Sequence, residues 1–105
     1  MKTNLYCITD VKANRTLEPF SSPTDASAKR SFIFGCIASE TPIQDCILWR
    51  LGNFSVSDDN QECFKLEALP TPVVVNPTIE EIEAYSKLFD DNKEKFEEFE
   101  SKGVI

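Results

Sequence analysis

The sequence predicts an α+β fold: a small antiparallel sheet of 3–4 strands with one packed helix, plus a long acidic C-terminal helix. Three observations predict it. Apolar, β-branched and aromatic runs bounded by polar turns occur at 5–9, 45–56 and 64–68. Between the first two runs, residues 24–39 space their apolar side chains at helical period. After Pro77 the chain turns acidic behind a capping box, Thr78-Ile79-Glu80-Glu81. The expected division is an α+β domain over 1–76 and a capped amphipathic helix over 77–105. A length of 105 residues with 41% hydrophobic and 28% charged residues fits one globular domain.

Leu5-Tyr6-Cys7-Ile8-Thr9 reads as the first strand, 10–14 as a turn, and Arg15-Thr16-Leu17-Glu18 as a short return strand. Pro19 ends it, because proline cannot donate to a ladder. The helix starts at a Thr24 cap, or at Ser22 with Pro23 in the first turn, and Asp25 suits the helix dipole. Ala28, Phe32, Ile33, Cys36 and Ile37 form its stripe, and it ends near Ser39. The run from Asp45 to Leu51, bounded by Pro42 and Gly52, reads as a buried strand continuing to Val56. Ser57 to Gln61, with Asp58 and Asp59, is a turn, and 64–68 return as a half-buried strand. Pro70, Pro72 and Pro77 make 69–77 a stiff linker or an edge segment.

The last helix is expected to reach Gly103, with acid-first pairs Glu83–Lys87, Asp91–Lys95 and Glu98–Lys102. Its seam is Ile82, Tyr85, Phe89, Asn92, Phe96 and Phe99, stepping by 3 and 4. The seam docks on the chain's own sheet, or Ile82, Tyr85, Phe89, Phe96 and Phe99 join a partner or a homodimer.

The net charge is −7, unevenly placed. Residues 1–76 carry 7 Lys+Arg against 9 Asp+Glu, and residues 77–105 carry 4 against 9. A protein this acidic is a poor default candidate for nucleic-acid binding, since phosphates need cations. The near-neutral body leaves room for a local basic face. Lys12, Arg15, Lys29, Arg30 and Arg50 are its only cations dense enough for a patch. The acidic helix is either a solvated face or a mimic of a nucleic-acid backbone that competes for that patch.

Cys7, Cys36, Cys46 and Cys63 follow no metal spacing, and the sequence has no His. Buried free thiols are the expectation, with no metal and no cofactor. Without His or a glycine-rich loop, no nucleophilic dyad or phosphate cradle is spelled out, so no enzyme and no small-molecule substrate are expected. No run is long enough for a membrane span and no secretory segment is seen, so the expectation is a cytoplasmic protein without a membrane partner.

Asp10, Pro19-Phe20, Thr24, Ala28-Lys29-Arg30-Ser31-Phe32, Pro42, Asp45, Leu48 and Leu51-Gly52-Asn53-Phe54 form an ordered series over about residues 5–72. This series resembles the small nonstructural protein of gokushoviruses, Microviridae with single-stranded DNA genomes. The resemblance departs at the Pro42–Asp45 spacing, at Cys46 and at Asn60-Gln61, and does not extend to the helix after Pro77. It implies a nonstructural bacteriophage protein in the host cytoplasm that binds single-stranded DNA. The role implied is in DNA replication or in the switch to single-strand production and packaging. The alternative is an adaptor that acts on a host or viral replication or assembly factor through its C-terminal helix.

For DNA the candidate residues are Lys12, Arg15, Lys29, Arg30, Trp49 and Arg50. Arg30 contacts phosphate, or pairs with Asp10 or Asp45. Trp49 stacks on a base, or belongs to the core with Ile47 and Leu51, the reading their alternation favours. Arg50, on the other face of the strand, is expected to be exposed.

Overall fold

The computed structural model describes residues 2–56 and 64–92. It is an α+β protein whose antiparallel sheet is built on its first strand. β1 (Lys2–Asp10) pairs along its length with β4 (Cys46–Val56). Its other edge is shared by β3 (Phe20–Ser22), opposite Asn4 to Tyr6, and β2 (Arg15–Thr16), opposite Thr9 and Asp10. β5 (Phe64–Val74) pairs with β4 and closes the order β2-β1-β4-β5. The expected turn at Asp58-Asp59, Cys63, and the expected helix from Lys93 through Phe96 and Phe99 to Gly103 lie outside the described residues, as do the partners of Asp91 and Glu98.

The turn from β1 to β2 is closed locally. The Asp10 carboxylate accepts from the Ala13 N–H at 3.1 Å, and Asn14 adopts φ 52°, a region Asn tolerates. β3 was not expected. It is three residues long, and its Phe20 ring stacks on Tyr6 at 5.6 Å between centroids. Alternation cannot show in three residues, so only tertiary pairing reveals the strand.

β4 carries an irregularity that shapes the sheet. Tyr6 pairs with Arg50 and Leu5 with Gly52, so Leu51 bulges on the β1 side. Opposite it, Val73 pairs with Arg50 and Ala68 with Gly52, so Leu69 to Pro72 loop out of the ladder. The two prolines thus sit at a bulge on an edge strand, where their missing N–H costs nothing. The segment 69–74 is therefore an edge segment of β5 and not a linker. A Cβ on Gly52 would lie 2.2 Å from the Glu67 carbonyl oxygen, so only glycine lets the strands approach there.

α1 (Asp25–Ala38) starts where the sequence predicts. Thr24 is the N-cap, and its hydroxyl accepts from the Ser27 N–H at 3.1 Å while Ser27 Oγ reaches back to the Thr24 N–H. Ala28, Phe32 and Cys36 seat on Tyr6, Cys46 and Leu48 to form the core, flanked by Ile8, Phe20, Ile43 and Val75. Residues Ile43–Asp45 form one 3-10 turn that leads into β4. Beyond β5, the Asn76 amide bonds the Leu48 N–H at 2.7 Å and the Cys46 carbonyl at 3.1 Å. A side chain thus completes the ladder where the strand has ended.

α2 (Ile79–Asp91) carries the expected capping box, Thr78 with Glu81. Its seam docks on α1, not on the sheet as one reading had it. Phe34 meets Tyr85 edge-on at 5.9 Å and Phe89 at 5.8 Å. The helix-side face of the sheet is already covered by α1, and Phe34 on the outer side of α1 receives the seam. Glu83 and Lys87 are both exposed and form no bridge, which such pairs gain little from. Among the described residues, no helix is long and apolar enough to cross a membrane.

Candidate nucleic-acid interface

The register divides the sheet into two faces. Tyr6 and Ile8 of β1 share the α1 side with Arg50 and Leu48 of β4. The opposite face carries Thr3, Leu5, Cys7 and Thr9 of β1, Ile47, Trp49 and Phe54 of β4, and Leu66 and Ala68 of β5. None of these positions is charged, and neither described helix packs on them. An antiparallel sheet ordinarily turns a polar face to water when only its other face is covered. Among the described residues, the face away from α1 carries no charge here.

Trp49 lies on that open face, half-buried, outside the helix-side core that its alternation favoured. Its indole N–H donates to Thr9 Oγ1 at 3.2 Å, and Thr9 Oγ1 lies 3.4 Å from Thr16 Oγ1. With Leu51, Thr71 and Pro72 these residues bound a shallow apolar depression of about 420 Å³. The looped-out prolines build one wall, so the bulge and the depression are one feature. Its chemistry is a flat aromatic surface, a proline edge, threonine hydroxyls and the Cys7 thiol, with no charged side chain.

The six predicted residues do not converge. Arg50 is not free at the surface: it donates to Asp25 Oδ2 at 2.5 Å on the α1 side. Asp25 Oδ1 also accepts from the Tyr6 hydroxyl at 2.6 Å, and Asn4 donates to that hydroxyl at 3.1 Å. Burial, and next the bond to Asp25, push the Tyr6 pKa up to about 12. This network ties the first turn of α1 to the centre of the sheet. Lys29 bridges to Glu81 of α2 at 3.4 Å. The Thr78 backbone N–H, then Lys29, hold the Glu81 carboxyl below its ordinary value against some desolvation.

Arg30 is exposed on α1 and bonds neither Asp10 nor Asp45. Lys12 and Arg15 are exposed in the β1–β2 hairpin; Arg15, opposite Asp10, lines a cleft on the α1 side of the sheet, the face away from Trp49. Of the predicted set, the structure therefore sets Trp49 on one face of the sheet and Arg15 on the other, with Lys12 exposed in the hairpin between β1 and β2. It leaves Arg30 apart and engages Lys29 and Arg50 internally. Sequence reasoning missed Asp25 as a partner, and only its place in the first turn of α1 signalled anything. In the proposed partner seam, Tyr85 and Phe89 face Phe34 and Ile82 is half-buried, while Phe96 and Phe99 lie outside the described residues.

A second cleft, about 240 Å³, opens on the α1 side between Arg15, Leu17, Phe32, Gly35 and the two buried thiols Cys36 and Cys46. Burial pushes the Cys36 thiol up to about 12, with Cys46 and Asp10 adding to it, and burial raises Cys46 as well. Thiols in that state are poor nucleophiles and poor metal ligands. Cys7 is buried on the other face, where its thiol donates to the Leu17 carbonyl at 3.2 Å. Among the described residues no group of three or more His, Cys, Asp or Glu could hold a metal.

Residues 3–81 match the phage ORF5 protein family, which covers every strand, α1 and the first turn of α2. The chain belongs to the phage ORF5 protein family. No curated protein and no solved structure matches it. As a phage ORF5 protein it agrees with the sequence resemblance at the level of a bacteriophage protein. The matched span contains the Trp49 depression, Lys12 and Arg15. It stops before Ile82, Tyr85 and Phe89, so the aromatic seam of α2 falls beyond it.

Proposed function

We propose that this phage ORF5 protein is a nonstructural protein of gokushovirus type, of the Microviridae, that binds single-stranded DNA. The reading places it in viral DNA replication or in the switch to single-strand production and packaging. The observation that carries it is the half-buried Trp49 beside an apolar depression, on a sheet face that neither described helix covers, with Lys12 and Arg15 exposed in the β1–β2 hairpin at the end of the sheet. Single-strand binders combine these parts: bases stack on aromatic side chains and cations follow the phosphates. In this reading one base stacks on Trp49 against Pro72, and the flanking phosphates meet Lys12 and Arg15. Arg30, exposed and unbonded to Asp10 or Asp45, is a further phosphate contact on the helix side. No catalytic step is assigned.

The adaptor reading has less support, because Tyr85 and Phe89 are engaged with Phe34. The test is a titration of oligothymidylate into the protein, followed by Trp49 emission and by the anisotropy of labelled DNA at two salt concentrations. Quenching of Trp49 is expected, with affinity that falls with salt at a log–log slope of about −0.7 per neutralised phosphate. Unchanged anisotropy at low salt would remove the DNA reading and direct attention to protein partners.

A further inference from the structure

β5 is the terminal strand of the sheet, and among the described residues nothing pairs with its outer edge. A free edge is a template for another strand, and proteins blunt such edges with prolines, bulges and charges. Prolines and a bulge blunt one half of β5, where Pro70 and Pro72 loop out. The half at 64–68 pairs regularly with β4 and has no proline. Leu66 at its centre is 64% exposed on the open face. Lys65 and Glu67 flank it on the other face, 3.1 Å apart, with side chains 73% and 53% exposed.

We infer that this edge pairs with the same edge of a second copy of the chain, antiparallel about a two-fold axis through Leu66. Charge complementarity carries the inference. In an antiparallel pair, residues equidistant from the axis stand opposite each other. Lys65 then faces the partner subunit's Glu67, and Glu67 faces the partner subunit's Lys65. Leu66 meets the partner subunit's Leu66 on the apolar face. An axis at Lys65 or at Glu67 would instead set like charges directly opposite, which disfavours pairing. The internal Lys65–Glu67 contact is exposed and competes with water, so exchanging it for two cross-strand pairs loses little. The prolines stop the pairing beyond Leu69, which confines it to this one short register.

The pairing does not depend on the DNA reading, but it bears on it. A two-fold axis normal to the sheet keeps both open faces on one side. With a rise near 3.3 Å per residue and strands near 4.8 Å apart, the two Trp49 depressions lie roughly 35 Å apart on one continuous surface.

The test is sedimentation equilibrium of the full chain, with circular dichroism to confirm folding. Wild type is expected to show a concentration-dependent dimer. Glu67→Lys and Lys65→Glu each place like charges opposite and should weaken the dimer at least tenfold. The double exchange K65E/E67K restores complementarity and should restore the dimer. Wild type that stays monomeric at about 100 µM, where standard-size interfaces are already formed, overturns the inference. So does a dimer that Glu67→Lys leaves intact, or one that the double exchange fails to rescue. DNA binding by a strictly monomeric protein would sink this pairing and leave the function reading standing.

Discussion

Asp25 holds two partners that lie 19 and 25 residues away in the chain, Tyr6 and Arg50. Removing it leaves a half-buried guanidinium and a buried phenol without their acceptor. Asp25→Ala is therefore expected to lower stability by about 1–2 kcal/mol, after discounting for the solvent that reaches both charges. Urea denaturation measures it, and a loss within error of zero would mean that water replaces the carboxylate. Tyr6 adds a pH dependence. Its pKa rises from 10.0 to about 12 in the fold, so the neutral phenol is the favoured form. Its contribution is complete below about pH 10 and is lost as pH climbs toward 12. Cys36, raised from 9.0 to about 12, acts in the same direction. In a Tyr85→Phe variant, tyrosinate absorbance should therefore appear only near pH 12, together with unfolding. The sequence could not show this network. It assigned Asp25 to the helix dipole and offered Asp10 or Asp45 to Arg30, because spacing along a chain does not say which charges a sheet register brings together.

Elements whose cause is local were legible, and those whose cause is remote were not. The start of α2 was readable because Thr78 and Glu81 close its cap within one turn; for α1 the sequence offered Ser22 or Thr24, and the structure selects Thr24, closed by Ser27. The β1–β2 turn and the first half of β4 were readable from composition. The bulge at Leu51 was not, since it exists only against β1 and β5 together. Gly52 marks it in hindsight: it is a strand glycine where two backbones nearly touch. Gly52→Ala should cost about 1–3 kcal/mol, because its Cβ would strike backbone that cannot swing aside. Thermal denaturation tests this, and an unchanged midpoint would mean that β5 shifts to make room. Proline-rich 69–74 shows the same limit. Proline content signals an edge or a linker equally, and only the ladder on either side decides.

At the scale of the molecule, the sheet has one face closed by α1 and one face left apolar. The alternation of Ile47, Trp49 and Leu51 was visible in the sequence, but not which face the helix would take. The alternation favoured a core place for Trp49; in the structure it is half-buried beside Ile47 on the face away from α1. A tryptophan that only filled an interior would change stability when truncated. One that carries a base changes affinity. Trp49→Ala is expected to weaken oligothymidylate binding by about 1–3 kcal/mol, the range for one stacked base. Lys12→Ala with Arg15→Ala should instead flatten the salt dependence by about one to two phosphates. Equal salt slopes in wild type and the double variant would place the phosphates elsewhere, with Arg30 the next residue to change.

The central position of β1 also dictates an order of events during synthesis. β1 leaves the ribosome first, yet its main partner spans Cys46–Val56. Until then it has only the five residues of β2 and β3 to pair with, and two-stranded pieces of that size are marginal in water. The residues ahead of β4 therefore wait with Tyr6, Ile8 and the α1 stripe unsheltered, and collapse comes late, when β4 arrives. A non-local closure of this kind is slow compared with helix formation. Chains interrupted before residue 46 would lack the neighbour of their own central strand, and would be handled by chaperones and proteases as unfolded polypeptide.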